Sequence, residues 1–389
     1  MHEPLITSLL DTDLYKFTMM QCVWHHFPSC EVEYRFQCRK PVDLTGIIPQ
    51  LQENIAQFCK LQLTETECQY LQTLPFIKPD FMAFLKNFSL DPSQIRIQKN
   101  NQLEIIIKGP WFATILFEVP VLAMVSELYY RLHYPELTFD SARELLQEKI
   151  HYVKQQTLPG FTFSDFGTRR RFSKAWQKEL LTTLQAQLPH QFAGTSNILF
   201  AQQLKLPPIG TMAHEFLQAC QVLAPDIRGS QKFALQVWLQ EYPHSLGIAL
   251  TDVLTMDVFL QEFDKDLATR FRGLRQDSGD PIIWGEKALR HYQRFGIDAK
   301  TKTFVFSNGL TVPKAVQIYQ HFKDQVNVTF GIGTNLTNDV GVPALDIVLK
   351  MVAANGQPVI KISDSPGKVI SIDENRLNYI KDVFHIQDN

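Results

Sequence analysis

The spacing of apolar and polar residues changes character about a third of the way along the chain. Before that point two periods are mixed. Leu10, Leu14, Phe17 and Val23 recur near helical spacing, which predicts a helix over 9–25. Residues 31–38 then alternate, with Val32, Tyr34, Phe36 and Cys38 on one side, the period of a strand. Residues 51–73 predict a helix broken near Thr64, and 79–85 a shorter one. Strands are predicted over 93–98 and 103–107, around the polar Lys99-Asn100-Asn101, and a further strand over 111–117. Pro120 suits the first position of a helix through Tyr130, where its missing N–H costs nothing. Asp140 is placed to cap the next helix. Residues 1–135 therefore read as a separate α+β domain.

From 136 to 389, read as a second domain whose C-terminal segment either continues it or packs back on the first, short apolar strands alternate with longer amphipathic segments. The strand candidates are 161–166, 208–210, 246–250, 271–274, 303–306, 326–330 and 347–353. The helical segments include 171–186, 231–241, 281–295 and 313–322. Repeated βα units imply a mostly parallel sheet covered by helices. About seven or eight such units over roughly 250 residues fit a TIM-like α/β barrel. A doubly wound open sheet has the same periodicity.

Composition narrows the class. A chain of 389 residues, 45% apolar and 20% charged, is globular and long for a single core. Lys plus Arg count 38 and Asp plus Glu 40, a formal net charge of -2, so no overall charge invites nucleic acid or an anionic membrane. No apolar run is long enough to predict a membrane span, and no basic-then-apolar start predicts a signal peptide; a cytoplasmic protein is expected. The six cysteines form no close C-x-x-C pair and match neither a metal framework nor a disulfide scaffold.

The candidate chemistry lies where strands should end. Six strand candidates run into polar, mostly Gly-bearing loops: Gly167–Arg170, Gly210–Glu215, Thr251-Asp252, Arg275–Asp280, Ser307–Gly309 and Gly331–Asn335. In a parallel barrel those ends share the face that carries active sites. Gly331-x-Gly333-Thr334 offers free backbone N–H groups and a hydroxyl suited to a phosphate, or is simply a tight βα turn. It is neither a nucleotide P-loop nor a dinucleotide fingerprint. Arg275 can clamp a carboxylate or phosphate, while Asp277 can orient ribose hydroxyls or hold Mg²⁺ beside a diphosphate; a loop salt bridge, with Asp280 capping the helix after it, is the plainer reading. His214 reads either as a base or phosphoryl nucleophile or as a histidine bonded to its own loop, with Glu215 able to polarise it only if the backbone brings the two side chains together. Arg169–Arg171 is the densest positive spot, and Phe166 beside it can stack on a planar ring. The 361–368 stretch, from Lys361 to Lys368, is a second anion-binding candidate or a charged turn. This inventory suits a phosphorylated sugar reacting with a small aromatic anion.

The segments 10–19 (LDTDLYKFTM), 166–170 (FGTRR), 210–215 (GTMAHE), 275–280 (RQDSGD) and 331–334 (GIGT) resemble the nicotinate phosphoribosyltransferase family, in order and through nearly the whole chain. The resemblance implies an irregular, seven-stranded α/β barrel with an N-terminal α+β domain. It implies transfer of phosphoribosyl from 5-phosphoribosyl 1-diphosphate to nicotinate, coupled to ATP hydrolysis with Mg²⁺, as the first step of NAD salvage. His214 matches the family's phosphorylated histidine. Tyr15 matches an aromatic that stacks on the pyridine ring, often lent by a neighbouring subunit, which implies a homodimer; Phe166 supplies the other face. Arg169 and Arg275 match residues near the substrate carboxylate and phosphates. Asp252 and Asp277 match acidic residues handling the ribose and Mg²⁺, and Gly309, Gly333 and Thr334 match phosphate-binding loops. Thr211 and Ser307 are taken as substrate-binding within the same motifs, and Glu215 as catalytic beside His214; no metal held by protein ligands alone is expected. The nearest alternative is a nicotinamide phosphoribosyltransferase. A sugar-phosphate aldolase or isomerase would need a Schiff-base lysine or a carboxylate pair at strand ends, and neither stands out.

Overall fold

The computed structural model describes residues 3–365, 369 and 371–387. Its strands are β1 (Glu31–Cys38), β2 (Ile95–Asn100), β3 (Gln102–Pro110), β4 (Phe163–Asp165), β5 (Phe192–Thr195), β6 (Ile248–Leu250), β7 (Gly273–Gln276), β8 (Thr303–Phe306), β9 (Asn327–Ile332), β10 (Ile347–Ala354) and β11 (Gln357–Pro358). They form two sheets. One is antiparallel, in the order β11-β10-β1-β3-β2. The other is wholly parallel, in the order β5-β4-β9-β8-β7-β6.

The parallel sheet follows from its connections. Pro281–Arg294 leads from β7 to β8 and Val312–Phe322 from β8 to β9, each helix starting with Pro near its N-terminus behind an Asp280 or Thr311 cap. Such crossovers place neighbouring strands side by side and in parallel. The predicted strand over 208–210 is reduced to a single bridge, Thr195 to Pro208. Pro207 and Pro208 have no N–H to extend a ladder. The segment still spans the two edges of the sheet. Ile209 donates to the Thr195 carbonyl at 2.9 Å, and the Thr211 hydroxyl donates to the Ile248 carbonyl at 3.1 Å. β5, only four residues with a central glycine, has no counterpart among the predicted strands.

Four other expectations are corrected. Residues 347–353, expected among the parallel strands, lie in the antiparallel sheet, where Tyr34 pairs with Met351. β10 is apolar on both faces, so its pattern names no partner sheet. Residues 111–117, expected as a strand, are a helical turn and a 3-10 turn leading into the helix Glu118–His133. Aromatic and β-branched residues favour a strand there, but tertiary packing overrides that weak preference. The combined stretch 111–133 is apolar and long enough to cross a bilayer, yet 89% of its apolar window is buried inside the fold, as befits a core helix. Pro120 is accordingly the third residue of its helix, and Asp140 begins rather than caps the next, with Phe139 at the cap position. The expected break near Thr64 is present: Thr64 and Glu67 form a reciprocal capping box that starts Glu65–Gln72.

The N-terminal segment is tied to the parallel sheet before its helix, Leu14–His26, begins. Asp11 is fully buried and takes both terminal nitrogens of buried Arg171, at 2.7 and 3.0 Å. Asn197, just past β5, donates to the same carboxylate, and Asp13 accepts from Ser196 at 2.7 Å. These bonds set Tyr15 over the ends of the parallel strands.

Candidate active site

A cavity of about 730 Å³ lies at those strand ends. Phe166 and Arg169 reach it after β4, Arg275 and Asp277 from β7, Ser307 and Gly309 from β8, and Gly331, Gly333 and Thr334 from β9. His214 joins them, with Tyr15, Arg39 beyond β1, Lys350 on β10 and Lys361. Arg39, Lys40, Arg169, Arg170, Arg275, Lys350 and Lys361 outweigh the lining carboxylates Asp277, Asp339 and Asp346, so the cavity is electropositive.

His214 is the first residue of the helix His214–Leu223. Its Nε2 is 3.0 Å from Asp252 Oδ1 and 3.7 Å from Asp277 Oδ2. The second Asp252 oxygen accepts from Ser278 Oγ at 2.7 Å and from Lys361 Nζ at 3.1 Å. Burial alone would raise the Asp252 carboxyl, but Lys361 and His214 hold it well below the ordinary range. An ionised Asp252 accepts Nε2–H, and so leaves the lone pair on Nδ1. Burial, with Lys361 next, pushes His214 down to about 4 against the opposite pull of Asp252. The imidazole is thus neutral at physiological pH, the form that can act as a nucleophile.

That shift has a consequence for stability. An unfolded histidine takes up a proton near pH 6.5, while the folded one resists until about 4. Protons therefore favour the unfolded chain, and the contribution is complete above 6.5 and lost as pH falls toward 4. At pH 5 the loss is about 2 kcal/mol. Thermal melts at pH 7 and pH 5 should show a larger drop for wild type than for His214→Gln; equal drops would refute this assignment.

Around Asp277 the groups are interlocked. The Ser307 hydroxyl accepts from Arg275 Nε at 2.9 Å and donates to Asp277 Oδ1 at 2.8 Å. Burial opposes ionisation of Asp277, but Arg275 and then His214 keep its carboxyl below the usual range. The Arg275 guanidinium stands 5.5 Å from the Phe166 ring centre. Beneath that ring lies Gly331, where an added Cβ would sit 2.2 Å from two ring carbons. Gly331→Ala should therefore displace Phe166 at a cost of about 1–3 kcal/mol. The check is a thermal melt, whose midpoint should fall accordingly; an unmoved midpoint would mean that the added methyl and the Phe166 ring do not collide.

The site separates the residues expected from sequence. Tyr15, Phe166, Arg169, His214, Arg275, Asp277, Ser307, Gly309, Gly333 and Thr334 line the cavity, and Asp252 backs His214. Tyr15 and Phe166 make no ring contact with each other among the described residues. Glu215 is turned away: its carboxylate bonds Lys16 at 2.8 Å, so Asp252, not Glu215, orients the histidine. Thr211 uses its hydroxyl on Ile248 and does not line the cavity. Of the three consecutive arginines, Arg171 is buried against Asp11, while Arg169 and Arg170 both line the cavity; Arg170 is held there by Asp346 and the Ile347 carbonyl, and Arg169 makes no side-chain hydrogen bond among the described residues. Lys368 lies outside the described residues. Arg39 and Lys350 were missed. Lys350 had a signal, being the one charge in the apolar run of β10.

The sequence profile of the nicotinate phosphoribosyltransferase (NAPRTase) family matches residues 161–388, and that of the NAPRTase N-terminal domain matches 10–126. A nicotinate phosphoribosyltransferase of Burkholderia ambifaria is 50% identical over 390 aligned positions, covering 98% of this chain and 97% of the relative. One from Acidovorax sp. is 49% identical, covering 98% and 99%. Among solved structures, nicotinate phosphoribosyltransferase from Vibrio cholerae superposes with a TM-score of 0.95 at 37% identity over 99% of this chain and 95% of that one. The Porphyromonas gingivalis enzyme superposes with 0.93 at 34%, over 98% and 100%.

Proposed function

The chain belongs to the nicotinate phosphoribosyltransferase family, and from that premise we propose how its site divides the work. The protein is an enzyme that transfers phosphoribosyl from 5-phosphoribosyl 1-diphosphate to nicotinate, giving nicotinate mononucleotide and diphosphate, the first step of NAD salvage. The observation that carries the finer reading is the His214–Asp252–Lys361 array beside an electropositive cavity. ATP is the co-substrate and His214 the phosphate carrier. With Nε2 held by Asp252, and no hydrogen bond to Nδ1 among the described residues, Nδ1 attacks the γ-phosphorus and ADP leaves. The phosphoryl group then adds negative charge and acceptor oxygens to the donor site, and water later releases it as phosphate.

In the acceptor half, Tyr15 and Phe166 bracket the pyridine ring. Arg169, with no side-chain hydrogen bond among the described residues, takes the carboxylate, and Arg275, fixed by Ser307, holds the phosphoribosyl end. The ring nitrogen attacks the anomeric carbon as diphosphate departs, and the backbone of Gly309, Gly333 and Thr334 receives phosphate oxygens. Asp277 has a carboxylate edge open to the cavity, whereas both Asp252 oxygens are engaged; Asp277 would therefore meet Mg²⁺ carried by the diphosphate, which supplies charge neutralisation of the leaving group. We also read the parallel sheet plus 207–211 as the irregular seven-stranded barrel, with the domains dividing near 135 and β10–β11 returning to the first. A cytoplasmic homodimer follows from the family resemblance, although Tyr15 here lines its own chain's cavity.

Purified protein supplied with 5-phosphoribosyl 1-diphosphate, Mg²⁺ and either nicotinate or nicotinamide, with and without ATP, tests the assignment. Mononucleotide should form from nicotinate and be stimulated by ATP. No product from nicotinate under any condition would sink it, and preferential use of nicotinamide would favour the alternative.

A further inference from the structure

One chain of buried charge touches the cavity without facing it. Lys16, next to Tyr15, is fully buried, with its ammonium 2.5 Å from Glu118 Oε2 and 2.8 Å from Glu215 Oε2. The other Glu118 oxygen is 3.6 Å from Arg169 Nη1, beyond hydrogen-bond reach. Arg169 lines the cavity and makes no hydrogen bond among the described residues. The carboxylates around it are each engaged by another group: Asp13 by Ser196 at 2.7 Å, Asp277 by Ser307 at 2.8 Å, and Glu118 by Lys16.

We propose that Lys16 is a positioning residue for acceptor recognition: by holding Glu118 it keeps that carboxylate from closing on Arg169, and leaves the guanidinium free for the carboxylate of the aromatic acceptor. The inference rests on the role given to Arg169 above. An arginine and a carboxylate within reach of each other close into a two-bond pair unless something competes. A guanidinium already paired offers less to an incoming anion. Lys16 is that competitor. Its grip is reflected in Glu118, whose carboxyl burial would raise, yet which Lys16 first, then Arg169 and Lys350, hold below the usual range. Without Lys16, Glu118 would have Arg169 as its nearest cation, and Glu215 would lose its partner.

The test uses the full chain and four variants: Lys16→Met, Glu118→Gln, the two combined, and Arg169→Ala. The KM for nicotinate is read beside the inhibition constant of nicotinamide, its neutral counterpart. Lys16→Met should raise the nicotinate KM by about tenfold or more, and leave nicotinamide within about twofold, because only the charged ligand competes with Glu118 for the arginine. Adding Glu118→Gln should bring the KM back toward wild type, since the competing carboxylate is gone. A merely structural lysine predicts equal losses for both ligands and no rescue, and either result overturns the proposal. If Lys16→Met fails to fold, Glu118→Gln alone decides: an unchanged or lower nicotinate KM supports the proposal, a higher one overturns it. Arg169→Ala separates the layers. If it leaves the nicotinate KM unmoved, the role of Arg169 itself falls; if it raises the KM while the Lys16 and Glu118 pattern is absent, only the present inference falls.

Discussion

His214→Ala is expected to accept no phosphate from ATP and to lose the ATP-dependent part of turnover, by roughly 100-fold or more. Among the described histidines, His214 alone faces the cavity with one ring nitrogen fixed by a carboxylate and the other unbonded among the described residues. Alanine removes the nucleophile and a largely buried ring at the start of a helix, but leaves Asp252 paired with Lys361 and Ser278, so the fold should persist. Acid-labile, base-stable labelling from γ-labelled ATP reads the step directly. Label retained at the wild-type level in the variant would place the phosphoryl group elsewhere. A slow, ATP-independent transfer should survive, because the groups that meet nicotinate and the donor are untouched.

Asp252→Asn should be nearly as damaging, roughly 100-fold in phosphorylation rate, although it changes no volume. The reason is the set of donors around the carboxylate. One oxygen faces Ser278 Oγ and the Lys361 ammonium, both donors, so an amide nitrogen cannot sit there without opposing them. The amide must turn its NH₂ toward His214 Nε2. That nitrogen then becomes the acceptor, the ring proton moves to Nδ1, and the lone pair that should attack phosphorus is lost. Loss of the negative charge also leaves Lys361 unbalanced beside the imidazole, which lowers its basicity further. Single-turnover phosphorylation with a melting curve on the same sample checks this. A stable Asp252→Asn protein that phosphorylates at the wild-type rate would show that Asp252 does not set the tautomer.

Local signals in the sequence were read well where one period dominates. The strand over 303–306 is found as predicted, and the polar loops after β4, β7, β8 and β9 do meet at one cavity. What could not be read was pairing across distance. β10 carries no mark of which sheet it joins, since both its faces are apolar. Glu215 beside His214 looked like its partner, but consecutive residues on a helix diverge, and the true partner, Asp252, comes from another strand end. The role of Lys16 was invisible because its two carboxylates are remote in sequence.

The place of β10 also bears on how the chain is made. β1 needs β10 along one edge and β3 along the other. β3 emerges from the ribosome soon after β1, but β10 arrives only near the end of synthesis. Throughout that interval β1 presents an unpaired edge, open to other nascent chains. A nascent chain stopped before 347 would keep that edge for good, whatever the state of its catalytic loops. Premature termination and C-terminal truncation should therefore yield aggregates rather than inactive soluble protein, and the cell's holding chaperones would have to cover β1 until the last strand arrives.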